Sequence, residues 1–318
     1  MALIRRVPLT MAALALGLAG LGNLLSSYST ALKSICGVTA AAAAVLILAR
    51  MALDSARVRS ELRNPAALAV FPAFFMAVML LATYVKPYAA MPATVVWMVA
   101  LALQLLVSAT FMVRLVRSFD VSQALPGWFL AFVGFVVGSV TSPVFDAVPL
   151  GRVLLYAGFG GYAIALPVVG YRMLKHGDVP EPALPTVAIF AAPPSLLLVG
   201  YLTVVPARDS YVVYLLLAMT GLSLAYVFWR LPRILRLGFC PSCAALTFPF
   251  VISAIALKQA QALFASTDAG PLFPHAILLA IDILAAAMVV YAFARYAVFF
   301  LVPVKAVEVE PVAEAATP

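Results

Sequence analysis

Apolar runs alternate with short polar connections along nearly the whole chain, and ten of them are candidate spans. They lie near 7–26, 32–52, 65–85, 91–113, 126–146, 150–174, 183–205, 211–229, 241–262 and 275–301. Crossing a hydrocarbon core ~30 Å thick takes about 20 apolar residues, so each run predicts a membrane helix. The first run follows Arg5 and Arg6 as a secretory leader would, but it is too long for the apolar core of one.

The odd-numbered runs share a second pattern. Each opens at a proline, namely Pro8, Pro65, Pro126, Pro185 and Pro241, with separations of 57, 61, 59 and 56 residues. Proline suits the first turn of a helix, where its missing N–H has no partner to lose. A second breaker follows 9, 7, 8, 8 and 8 residues later, at Gly17, Pro72, Gly134, Pro193 and Pro249. The even-numbered runs lack this pattern, so the chain reads as five copies of a helical hairpin whose first helix is broken.

A proline inside a helix frees a carbonyl, and an unpaired polar group is costly in lipid. The five broken helices are therefore expected inside, around a quasi-five-fold central pore, with the unbroken five outside against lipid. Kinked packing without a conduit is the alternative. The residues just before the breaks, Leu16, Phe71, Val133, Ala192 and Phe248, would share one depth and form an apolar constriction. With the breakers themselves they are the pore-lining candidates. A dewetted constriction or a swinging ring is a recognised gate, and plain core packing is the other reading of Phe248.

Composition agrees with an all-α polytopic membrane protein: 65% hydrophobic, 10% charged, mean hydropathy +1.11. The basic pI of 9.6 does not signal nucleic acid, because the cations sit between apolar runs rather than in one patch. Fifteen of the 20 Lys and Arg residues fall at the N-terminus, in the even-to-odd connections or near the C-terminal end, and five on the opposite side. By the positive-inside rule both termini lie in the cytoplasm, as expected of a multi-pass protein in a bacterial-type inner membrane. Residues 1–305 are expected to form a single transport domain, and 306–318 a short acidic, disordered tail.

Little conventional chemistry is visible. Cys36, Cys240 and Cys243 are too few for a disulfide framework, and Cys240-Pro241-Ser242-Cys243 is a dithiol candidate or merely a helix entrance. His176 and His275 lie at span margins, so neither a metal site nor a haem is expected, and no cofactor is assigned. Lys258 and Asp282 stand inside apolar spans. They could pair, Lys258 could snorkel, or Lys258 could attract an anion; a proton-carrying Asp282 would instead mark a coupled carrier. The odd spans hold no Asp or Glu in their apolar stretches, and their positive N-terminal ends face the basic side. Both features favour anions as the transported partner.

The segments PAALAVFP (65–72), PGWFLAFVGFVVGSVTSP (126–143), PTVAIFAAPPSLLLVGYL (185–202) and PSCAALTFPFVISAIALK (241–258) occur in order. On these the chain resembles the tellurite-resistance/dicarboxylate transporter family, which includes slow-type anion channels. The resemblance covers nearly all of the chain outside the tail. It implies ten helices in five hairpins, a central pore, a homotrimer, and transport of chloride, nitrate, sulfite, malate or tellurite. It also implies a gating phenylalanine on the ninth helix, which ALTFP at 245–249 places at Phe248; Cys243, Ala244 and Ala245 replace aromatic residues often found before it. The expected activity is an anion channel in the lipid bilayer rather than an enzyme. A secondary carrier of C4-dicarboxylates or tellurite- and sulfite-type oxyanions is the second reading, and a membrane thiol oxidoreductase using Cys240 and Cys243 the third.

Overall fold

The protein divides into enclosed and exposed helices. A computed structural model describes residues 2–266 and 270–301, which form helices and connections without strands. Lys305 and the tail expected at 306–318 lie outside the described residues. Among the described residues, eight helices are long and apolar enough to cross a membrane, accompanied by two shorter apolar helices, Met11–Leu25 and Val136–Phe145.

Burial separates the two sets. The most apolar windows of Pro65–Val85, Glu181–Val204 and Pro241–Ala265 are 67%, 89% and 83% buried. Those of Thr30–Leu53, Ala90–Arg117, Val148–Lys175, Ser210–Leu235 and His275–Leu301 are only 28–39% buried. Met11–Leu25 and Trp128–Val133 are enclosed almost throughout. The enclosed segments are five arms: Met11–Leu25 is the first, Pro65–Val85 the second, Trp128–Val133 with Val136–Phe145 the third, Glu181–Val204 the fourth and Pro241–Ala265 the fifth.

The arms close into a ring, each packing against the next and the fifth against the first. Each outer helix covers the seam between its own arm and the following one, and His275–Leu301 covers the seam between the fifth and first arms. Thr30–Leu53 shows how sequence sets this packing. Gly37, Ala40, Ala43, Ala44 and Ile47 form its buried stripe, small enough for close approach, while Ile35, Val38 and Val45 are exposed. An apolar face of that kind suits hydrocarbon.

Four arms change course near their second breaker. Phe71 joins Pro65–Val70 to Pro72–Val85, and Gly134 and Phe135 separate Trp128–Val133 from Val136–Thr141. Glu181–Ala191 is a 3-10 helix that becomes α-helical at Ala192, and Pro241–Leu246 is a 3-10 helix ahead of Phe248–Ala265. The tighter winding reroutes backbone hydrogen bonds where proline offers no donor. The first arm differs from expectation: Met11–Leu25 is one uninterrupted α-helix through Gly17. Glycine keeps its N–H, so it weakens a helix without cutting the ladder.

The apolar runs underestimate the outer helices at their basic ends. Ala90–Arg117 carries Arg114 and Arg117 in its last turn, and Ser210–Leu235 carries Arg233 there with Arg230 just before it. Such side chains can reach the interface while the helix continues.

Candidate functional site

Inside the ring lies a cavity to which every arm contributes. The first arm supplies Ala13 and Leu16, the second Val70 and Met76, and the third Phe129, Leu130, Val133 and Gly134. Ile189, Ala192, Pro193 and Leu196 come from the fourth arm, and Ala244, Ala245, Phe248 and Pro249 from the fifth. None of these side chains can ionise. The cavity leaves only about 40 Å³ for the centres of water-sized spheres. A water needs about 10–15 Å³ on that measure, so roughly three would fit.

Leu16, Val133, Gly134, Ala192, Pro193, Phe248 and Pro249 meet in this lining, whereas Gly17, Phe71 and Pro72 lie outside it. Phe71 borders a second cavity and stacks on Phe74 at 6.1 Å, with Phe75 edge-on at 5.3 Å. Val70 and Met76 represent the second arm instead. Several lining residues that were not among the pore-lining candidates, including Ala13, Phe129, Ile189 and Ala244, lie three or four positions before Leu16, Val133, Ala192 and Phe248. One helical turn back along the same face was the available signal.

The break before Phe248 is tied to the first arm. Thr247 has φ −85° and ψ −74°, and its hydroxyl lies 2.8 Å from the carbonyls of both Ala13 and Ala244, to either of which it can donate. Gly17 permits this approach, since a Cβ there would lie 2.2 Å from Thr247 Oγ1. The ring packs beside Gly20 of the same arm, where a Cβ would meet Phe248 Cδ2 at 3.5 Å, an ordinary contact, and Val251 Cγ1 at a tighter 3.1 Å. Ser195 and Ser253 join the fourth and fifth arms through a 2.8 Å hydroxyl contact. The Phe248 ring thus borders the cavity from a backbone joint secured on both sides.

The second cavity is a vestibule at the N-terminal ends of the first, second and fifth arms, with about 1300 Å³ on the same measure. Arg5, Arg6, Arg50, Arg57 and Arg295 line it, opposed by one carboxylate, Glu61. Arg50 is buried and bonded to the Val7 carbonyl and to Glu61. Arg295 donates to the Leu237 carbonyl at 3.0 Å and to Tyr291 Oη at 2.8 Å. Val70 borders both cavities, so this basic chamber adjoins the apolar one.

The model of the SLAC1 family, described as voltage-dependent anion channel, matches residues 6–301. The chain belongs to the voltage-dependent anion channel family. No curated protein matches the sequence closely. As a member of that family, the chain is a multi-pass membrane protein of a channel and transporter lineage, not an enzyme lineage.

In this family member the remaining candidates sit away from the apolar cavity. Lys258 lines neither chamber: its ammonium is 3.0 Å from Asp282 Oδ2 and 4.6 Å from the centre of the Tyr28 ring. Asp282 is buried and also accepts a 2.7 Å bond from Tyr28 Oη. Cys240-Pro241-Ser242-Cys243 forms the opening 3-10 turn of the fifth arm, with the Cys243 N–H donating to the Cys240 carbonyl at 3.0 Å. Cys243 is buried and Cys240 half-buried. Among the described residues, no three of His, Cys, Asp and Glu gather as metal ligands would.

Proposed function

We propose that this protein conducts small anions through the ring of arms and that the Phe248 ring is the gate. One observation carries the reading: all five arms converge on a narrow apolar cavity, and Phe248 lines it beside the joint at Thr247. The arginine-lined vestibule gathers anions, and the N-terminal ends of three arms add partial positive charge there. An anion then meets an apolar stretch that stays closed until the ring moves. Both termini face the cytoplasm of a bacterial-type inner membrane, and the functional unit is a homotrimer, as the family pattern implies.

No observation favours the other readings. The lining offers a C4-dicarboxylate or tellurite-type oxyanion no fixed cation to bind, and burial of Cys243 denies a dithiol reaction ready access. Purified protein in liposomes, offered chloride, nitrate, sulfite, malate and tellurite in turn, tests the proposal. Anion current is expected; electroneutral uptake without current would overturn it in favour of a carrier.

A further inference from the structure

Gln104 has no exposed surface, and neither atom of its amide has a hydrogen-bond partner. It lies on the outer helix Ala90–Arg117, which runs antiparallel to the third arm. Trp97 Nε1 donates to Thr141 Oγ1 at 2.7 Å, a Cβ on Gly138 would meet Leu101 Cδ1 at 3.1 Å, and Phe111 meets Trp128 edge-on at 5.4 Å. That register sets Gln104 against Gly134. A Cβ on Gly134 would lie 2.8 Å from Gln104 Nε2 and 2.8 Å from Met76 Sδ. Gly134 and Met76 both line the apolar cavity. The amide thus packs behind two residues of the cavity wall, a glycine and an unbranched thioether.

A buried amide without a partner is costly, and a water or an ion is one recognised way of completing such a site. Ser108, one turn further along the same helix, is also buried with an unpartnered hydroxyl. The amide nitrogen supplies donors, which suit an anion, and methionine is flexible enough to yield.

We propose that Gln104 is a hydrogen-bonding site for the permeating anion, its amide N–H donating past Gly134 when Met76 swings aside. This rests on the anion-conduction reading above. A lone donor beside an otherwise apolar constriction helps a strongly hydrated anion such as chloride more than a weakly hydrated one such as thiocyanate.

The test compares chloride and thiocyanate currents in planar bilayers, using purified Phe248→Ala protein as the conducting parent. Adding Gln104→Met, which keeps the side chain's length and removes its donors, is expected to lower chloride conductance on the order of tenfold. It should also raise the thiocyanate-to-chloride permeability ratio, which a purely structural role for Gln104 would leave unchanged. Met76→Ala should lower that ratio in the parent and leave it unaltered once Gln104 is replaced. An unchanged ratio in Gln104→Met overturns the proposal while sparing the channel reading; a parent that passes no anion overturns both. Should Gln104→Met fail to fold, Met76→Ala decides alone, and an unchanged ratio there overturns the proposal.

Discussion

Replacing Phe248 by alanine is the most direct perturbation of the proposed pathway. With the ring present, the cavity has about 40 Å³ for water centres, room for roughly three waters. An anion passing there must shed most of its hydration, and even after relaxation such desolvation costs several kcal/mol. Removing the ring enlarges the cavity towards Gly20 and the first arm, so water can accompany the ion. Recovering only ~3 kcal/mol of that barrier would raise conductance on the order of a hundredfold. The same change costs folding stability of about 3 kcal/mol, the low end for Phe→Ala, because the ring already borders empty space. Single-channel or macroscopic recording from purified protein reads the first effect, and thermal melting in detergent the second. Folded Phe248→Ala protein with current within about twofold of the parent would refute the reasoning.

Three further outcomes follow from the same geometry. A Cβ at Gly17 would sit 2.2 Å from Thr247 Oγ1, so Gly17→Ala should cost about 1–3 kcal/mol by overpacking and alter basal current by displacing the joint; a melting temperature equal to the parent's counts against it. Asp282→Asn should destabilise by about 1–3 kcal/mol, allowing for Lys258 being 29% exposed, whereas the paired change Lys258→Met with Asp282→Leu should recover most of that loss. Conductance of the folded variants should stay at the parent value, and a loss of current would place the pair in the pathway. Arg57→Gln with Arg295→Gln should reduce anion current at 10 mM salt but hardly at 1 M, where the screening length falls from about 30 Å to about 3 Å; equal reduction at both salts would exclude attraction by the vestibule.

Much of the ring could be read from the chain because proline acts locally. Pro72, Pro193 and Pro249 disturb the helix that contains them whatever surrounds it, so breaks near Phe71, Ala192 and Phe248 followed from spacing, the last falling one residue earlier, at Thr247. Gly17 misled because its purpose is non-local: it faces Thr247, some 230 residues away in sequence, and its own helix runs on unbroken. Phe71 was hard to phase because a kink rotates the face that a helix presents, and Val70 and Met76 border the cavity in its place. Gln104 left a signal that went unused. An uncharged polar residue deep in an apolar run is unusual, but only the packing shows that it has no partner.

Closure of the five arms within a single chain has a consequence for assemblies. If each copy holds its own complete conduit, mixing silent subunits into the proposed trimer should diminish total current in simple proportion to their share. A conduit shared at the symmetry axis would instead be poisoned steeply, one defective copy disabling its partners. Co-reconstitution at graded ratios thus distinguishes three parallel routes from one communal route.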